Sequence, residues 1–272
     1  MRHDNGSAVT IGAYDGVHIG HRQVIDHVRR RAIRAGLRSV VVTFDKNPAA
    51  VVNPASAPPR LTDIEFKLEL LAKTGVDQIL VIEFDAARAK EKAEDFVAEV
   101  LVAELSARVV VVGDDFHFGH QRRGNVALLQ AMGEEAGFSV EPVHLVSDDR
   151  AHEVVSSTRI RGLIAKGELA EAAVLLGRSH EVRGLVVAGA GPEPGEPSRL
   201  AVEVPGEILL PPAGEYAGFV MSAAGESAAA HLVVPGRDGS GAQRIEISRI
   251  GVPRALPALR SGIGEVVRAR FA

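Results

Sequence analysis

The stretch Gly12-Ala-Tyr-Asp-Gly-Val-His-Ile-Gly-His21 decides how this chain is read. The apolar run Ala8-Val-Thr-Ile11 precedes it, and a helical pattern starting near Arg22 follows. Strand, glycine-rich turn and helix start in that order make a phosphate site physically sensible. Glycines let backbone N–H groups approach phosphate oxygens with no Cβ in the way. A helix N-terminus adds partial positive charge and free N–H donors. His18 and His21 lie three apart, so both side chains can face one ligand from the first turn. Such a pair can donate hydrogen bonds to a phosphate whose charge grows during transfer. A lone His-x-x-His would more often be two surface histidines. Here the glycines, Asp15 and both histidines converge on one junction.

Working outward, the first two-thirds alternates apolar runs with helical periodicity. Ala8–Ile11, Ser39–Phe44, Gln78–Ile82, Arg108–Val112 and Val140–Val146 read as strands. The third and fourth have the near-continuous Val, Ile and Leu of buried parallel strands. Helical patterns cover Arg22–Ala35, Ile64–Thr74, Ala93–Leu105 and Val126–Ala136. Gly36, Gly75 and Gly137 follow three of them, where a left-handed cap is wanted. The expected fold is an α/β, Rossmann-like doubly wound domain, with ligands beyond the carboxyl ends of its strands. Two short helical patterns follow Arg161 and end near Leu175-Leu-Gly-Arg178, and a linker is expected near Arg178–Gly189. Residues 189–272 carry Gly, Pro, Ala and short apolar runs, the pattern of a small antiparallel β-barrel-like module. Pro192–Pro197 and Pro235–Gly241 read as loops. The expected domains are 1–182 and 183–272.

Composition narrows the class. The chain has 272 residues, 46% of them hydrophobic, and a formal charge of −4, with no overall basic signature of nucleic-acid binding. Arg29-Arg-Arg31 reads as a solvated helix face. Cysteine is absent, which excludes disulfides, thiolate metal sites and cysteine nucleophiles. No apolar run spans a bilayer and the N-terminus lacks a signal-peptide pattern, so no membrane partner and a cytoplasmic location are expected. Oligomerisation is left open.

Three further motifs stand at strand ends or helix starts. Thr43-Phe-Asp-Lys-Asn-Pro48 follows a strand, and by itself an ordinary loop explains it as well as a substrate contact does. Val112-Gly-Asp-Asp-Phe-His-Phe-Gly-His-Gln-Arg-Arg-Gly-Asn125 again follows a buried strand and opens a helix. Its phenylalanines, glycines and arginines suit an aromatic ring with an anionic tail. Asn125 is placed like an N-cap. His117 and His120 lack partners at metal-ligand spacing and read as loop residues. Ser156-Ser-Thr-Arg-Ile-Arg161 offers hydroxyls, free N–H groups and arginine to a polyphosphate. Its plainer reading is an N-cap serine on a basic helix.

Together, in this order, the four motifs resemble the adenylyltransferase module of prokaryotic bifunctional riboflavin kinase/FAD synthetases. That family's Gly-x-Phe-Asp-Gly-x-His-x-Gly-His is matched with Tyr14 in place of Phe. Its Thr-Phe-x-Pro-His-Pro stands here as Thr43-Phe-Asp-Lys-Asn-Pro48. The Gly-x-Asp-Phe-x-Phe-Gly and Ser-Ser-Thr-x-Ile-Arg elements are intact. Leu176-Gly-Arg178 followed by Val182-Arg-Gly-Leu-Val-Val187 resembles the exit into the kinase module. The resemblance covers residues 8–190 and implies AMP transfer from ATP to FMN, with Mg²⁺ bridging phosphates. It implies that His18, His21 and Arg161 are catalytic. Gly12, Tyr14, Asp15, Gly20, Asn125, Ser157 and Thr158 would bind the nucleotide. Phe44, Asn47, Arg60, Asp115, Phe116 and Phe118 would bind the acceptor. No protein metal ligand is assigned.

Two departures qualify it. Lys46-Asn47 replaces Pro-His. The kinase signature Gly-x-Pro-Thr-Ala-Asn finds only Gly195-Glu-Pro-Ser-Arg-Leu200, where Ser198 mimics Thr but Leu200 offers no ligand. Pro212-Ala-Gly-Glu-Tyr-Ala-Gly218 keeps the outline of a family strand, and Glu246 falls near the place of the family's catalytic Glu. The sequence ends at Ala272, ahead of the family's closing helix. The expectation is an FMN adenylyltransferase with a degenerate kinase-like barrel. The rivals are a same-fold enzyme taking a modified flavin phosphate or another nucleotide, and a non-catalytic flavin- or nucleotide-binding regulator.

Overall fold

A computed structural model describes residues 5–144, 154–190, 199–236, 243–249 and 263–272. The chain divides into two units. One comprises Met1–Pro58 and Ile64–Val155, the other Pro59–Asp63 and Ser156–Ala272.

The first unit runs β1 (Ser7–Ile11), α1 (Ile19–Ala35), β2 (Arg38–Phe44), α2 (Pro48–Val52), α3 (Ile64–Ala72) and β3 (Gln78–Ile82). It continues with α4 (Ala93–Phe96), a π-helix Val97–Glu104, β4 (Ala107–Gly113), β5 (His117–Phe118), β6 (Gly124–Asn125), α5 (Val126–Ala136) and β7 (Ser139–Val143). The five long strands form one parallel sheet in the order β3-β2-β1-β4-β7. Side chains alternate across it. Val9, Ile11, Val40, Val42, Val110 and Val112 point to one face and pack on Phe96, Val97, Val100, Leu101, Leu105, Leu129 and Phe138. Ala8, Val109 and Val111 point to the other and pack on Val24, Val28 and Ala32 of α1. Val41 joins that second face against Ile25, Phe66, Leu70 and Leu71. Each Val or Leu fully buried this way stabilises by ~1.5–3 kcal/mol.

The sequence reading of this unit is largely met, with three corrections. β3 is parallel, but only Ile82 is buried in it, because it is the sheet's edge strand. The pattern Ala93–Leu105 is α only to Phe96 and then π. The wider turn, with Leu105 N–H donating to Val100 O at 3.1 Å, sets Val100 and Leu105 on the same buried face. α2 was not foreseen: Asn47 caps it and Pro48 begins it, as proline in a first turn does. Gly36, Gly75 and Gly137 all take positive φ after their helices.

The second unit holds α6 (Ser157–Lys166), α7 (Leu169–Leu176) and the strands β8 (Glu181–Ala190), β9 (Arg199–Val204), β10 (Gly214–Met221), β11 (Ser227–Val234), β12 (Gln243–Arg249) and β13 (Val266–Phe271). These six close into an antiparallel barrel, β10-β11-β12-β9-β8-β13. Alternate residues such as Val202, Val204, Val220, Leu232, Ile245, Ile247, Val267 and Phe271 fill it. Arg178–Gly189 is therefore mostly strand, not linker, since barrel closure recruits its Val-rich run as β8. The expected loop Pro192–Pro197, most of Pro235–Gly241, and Ser198 lie outside the described residues.

Candidate functional site

In an open sheet of this order, β1 leads to neighbours on one side and β4 lies on the other. The chain reverses between them, and ligands bind in the crevice beyond the carboxyl ends at such a point. The turn after β1 carries the first motif. It is strained: Tyr14 has φ 50 and Val17 φ 39, alongside Gly16 at φ 82. Positive φ at a β-branched valine is an outlier, and each such residue costs ~1–3 kcal/mol that its surroundings must offset. Val17 is fully buried, and its N–H donates to Tyr14 O at 3.1 Å. The Tyr14 hydroxyl pairs with Thr10 Oγ1 at 2.7 Å. Thr10 thus supplies the partner that a buried tyrosine needs, and burial raises the phenol's pKa far above the ordinary value.

His18 caps α1. Its Nδ1 accepts from His21 N–H at 3.3 Å, so the neutral ring carries its proton on Nε2. The His18 and His21 rings stack at 3.5 Å, and Tyr14 meets His21 edge-on at 5.0 Å. Burial first, then the neighbouring His18 and Lys67, hold the His21 pKa well below the ordinary histidine value. Its buried Nδ1 has no hydrogen-bond partner. The turn therefore offers two stacked imidazoles to an anion, with His21 held neutral. Asp15 is buried in the same turn, and a Cβ at Gly20 would meet His18 at 3.3 Å.

A cavity of about 690 Å³ opens beside this turn. Gly12 and Ala13 from the end of β1 form part of its wall. Phe44 comes from the end of β2 and Asn47 from beyond it, Phe84 from beyond β3, Phe96 from α4, and Asp115, Phe116 and Phe118 from beyond β4. Phe116 and Phe118 stack at 5.3 Å, and Phe44 meets Phe84 edge-on at 5.2 Å. An aromatic cavity of this size suits a planar, largely apolar ligand.

The structure thus gathers Gly12, Phe44, Asn47, Asp115, Phe116 and Phe118 around one space and sets Tyr14, Asp15, His18, Gly20 and His21 in the adjoining turn. Other expected residues are not among those lining the cavity. Asn125 caps α5, its Oδ1 accepting Leu128 N–H at 2.9 Å, and does not line the cavity. Arg60, Ser157, Thr158 and Arg161 belong to the second unit. There Arg60 pairs its backbone with Glu207 and Leu209. Ser156 caps α6 through Arg159 N–H at 3.2 Å, leaving Ser157 and Thr158 in its first turn. Arg161 Nε donates to Pro59 O at 2.7 Å. His117 is exposed, and His120 Nδ1 lies 3.1 Å from Ala89 O.

Sequence reasoning missed Phe84, Phe96 and Lys67. Lys67 is 4% exposed and donates to Phe44 O at 2.6 Å and to Ala13 O at 3.3 Å. Its signal was present: a lysine on the same stripe as Leu70 and Leu71, inside the apolar face of α3.

Residues 1–159 match the FAD synthetase family profile. The bifunctional riboflavin kinase/FMN adenylyltransferase of Haemophilus influenzae is 38% identical over 184 residues, covering 68% of this chain and 59% of that protein. The protein of the same name from Escherichia coli K12 is 36% identical over 184 residues, 68% of this chain and 58% of its own length. The chain's match spans about three-fifths of the length of these relatives. A solved structure described as a macrolide-efflux protein from Streptococcus pneumoniae shares the fold, with a TM-score of 0.77 and 24% identity over 98% of this chain and 84% of that one. With the strand–turn–helix motif in place and more than half its length matched, the chain belongs to the FAD synthetase family.

Proposed function

We propose that this chain transfers AMP from ATP to FMN, releasing pyrophosphate and forming FAD. One observation carries the reading: Gly12 and Ala13 belong both to the histidine-bearing turn and to the wall of the aromatic cavity. A nucleotide held at the turn and a flavin held between phenylalanines would then bring their phosphates together. An FMN phosphate oxygen attacks the α-phosphorus, and the bond to the β-phosphate oxygen breaks. No protein nucleophile is needed, so positioning and charge stabilisation carry the rate. His18 donates through Nε2. His21, held neutral, turns a ring N–H toward the non-bridging oxygens as their charge grows. Ser157, Thr158 and Arg161 are proposed to serve the nucleotide phosphates, and Phe116 and Phe118 the flavin ring.

Mg²⁺ is proposed to accompany the substrates. Among the described residues no three His, Asp or Glu side chains gather as a metal cage. Such an ion keeps waters and takes one or two carboxylates plus substrate phosphates. Asp15 is the carboxylate this turn offers. When bound, the ion would neutralise phosphate charge.

We also infer that the barrel does not phosphorylate riboflavin. Leu200 sits in β9 opposite Ile247, a hydrocarbon where the family's signature has an asparagine. Glu246 is exposed on β12. The test is chromatography after incubating folded protein with ATP, Mg²⁺ and a panel of acceptors. FAD from FMN is expected; a dinucleotide formed only from another flavin phosphate would move the reading to that acceptor, and binding without turnover would make the chain a regulator.

A further inference from the structure

We propose that Lys67 is a positioning residue for the transfer site, clipping the strained phosphate turn to the floor of the acceptor cavity. The reading rests on the adenylyl-transfer function and deepens it. The lysine comes from α3, outside every recognised motif, yet its ammonium is buried where a charge is costly. It satisfies two carbonyls that no strand ladder takes up. One is Ala13 O, in the turn next to Tyr14 with its positive φ. The other is Phe44 O, at the last residue of β2. Ala13 and Phe44 both line the cavity. One side chain therefore fixes the spacing between the turn that would hold the nucleotide and the wall that would hold the flavin. Thr43 Oγ1 donates to the same Ala13 oxygen at 3.3 Å, so the clip has a second, uncharged strand. The cation also faces His21, together with the stacked His18 ring, and favours the neutral imidazole.

This makes two expectations that a purely structural lysine would not share. Releasing the turn should misplace the reacting groups, and a displacement near 1 Å costs about 10²-fold in rate. Removing the cation should let His21 take a proton at higher pH. The experiment compares wild type with Lys67→Met and Lys67→Gln. It measures kcat and KM for both substrates, and the His21 titration from its Cε1–H resonance in ligand-free protein. The clip predicts a folded variant with kcat down about 10²-fold, smaller changes in KM, and an upward-shifted His21 titration. Lys67→Arg, which keeps the charge and donors, should recover part of both. A folded variant with kcat within about threefold and an unmoved titration overturns the proposal. So does failure of both neutral variants to fold, which would assign Lys67 to stability alone. The titration needs no turnover, so if wild type forms no FAD, the functional reading fails while the clip is still judged.

Discussion

In the proposed reaction His18 and His21 donate to phosphate oxygens, and the residues around them orient the rings and keep His21 uncharged. The cap bond from His21 N–H fixes the His18 tautomer. Burial, His18 and Lys67 keep His21 neutral. Replacing His21 with alanine should therefore lower kcat by roughly 10²–10³ while the far-UV spectrum is unchanged; turnover within a few-fold of the parent would make the ring structural. The same lowered pKa has a consequence for stability. An unfolded chain's histidine takes a proton near pH 6.5, whereas the folded one resists. The unfolded state then binds more protons, so stability falls as the pH drops below about 6.5. Urea midpoints at neutral and mildly acid pH should show this loss, and His21→Ala should make it shallower. An unchanged slope in the variant would place the effect elsewhere.

At the scale of elements, the loop from β4 to α5 builds one wall of the cavity and depends on close packing. Gly119 has φ 71, and a Cβ there would lie 2.7 Å from the Ala93 backbone. Gly119→Ala should destabilise the unit by about 1–3 kcal/mol and raise the KM for FMN more than for ATP. Thermal melting and substrate titration check both, and an unaltered acceptor KM would separate this loop from the flavin. The sheet itself was legible because parallel strands leave continuous apolar runs and their helices end at glycines. So was the turn after β1, whose glycines and histidines announce themselves. The edge exposure of β3 and the π-helix were not legible, since periodicity does not report strand order or helix pitch. β8 reads as a linker in sequence because its pairing depends on β13, far along the chain, as well as on the following β9. Phe84 and Phe96 reach the cavity and Lys67 the turn by tertiary placement, and no local motif marks them. Asn125 and Ser156 show the opposite case: helix capping accounts for hydrogen bonds that a motif would lend to a ligand.

At the scale of the molecule, the chain holds an α/β unit and a closed β-barrel, and the relatives it matches carry names with two activities. The barrel is filled by its own apolar side chains, and in the proposed reading Leu200 stands where the kinase signature would have a polar residue. Riboflavin with ATP should therefore yield no FMN; clear production would show that the barrel retains phosphoryl transfer. The chemistry of the first unit is tested most directly by following the phosphates. FMN is supplied with ATP labelled at either the α- or the γ-phosphorus, and products are separated. The α label should appear in FAD and the γ label in pyrophosphate, with no γ label in any flavin. Label from the γ position in a flavin, or no α label in a dinucleotide from folded protein, would contradict adenylyl transfer.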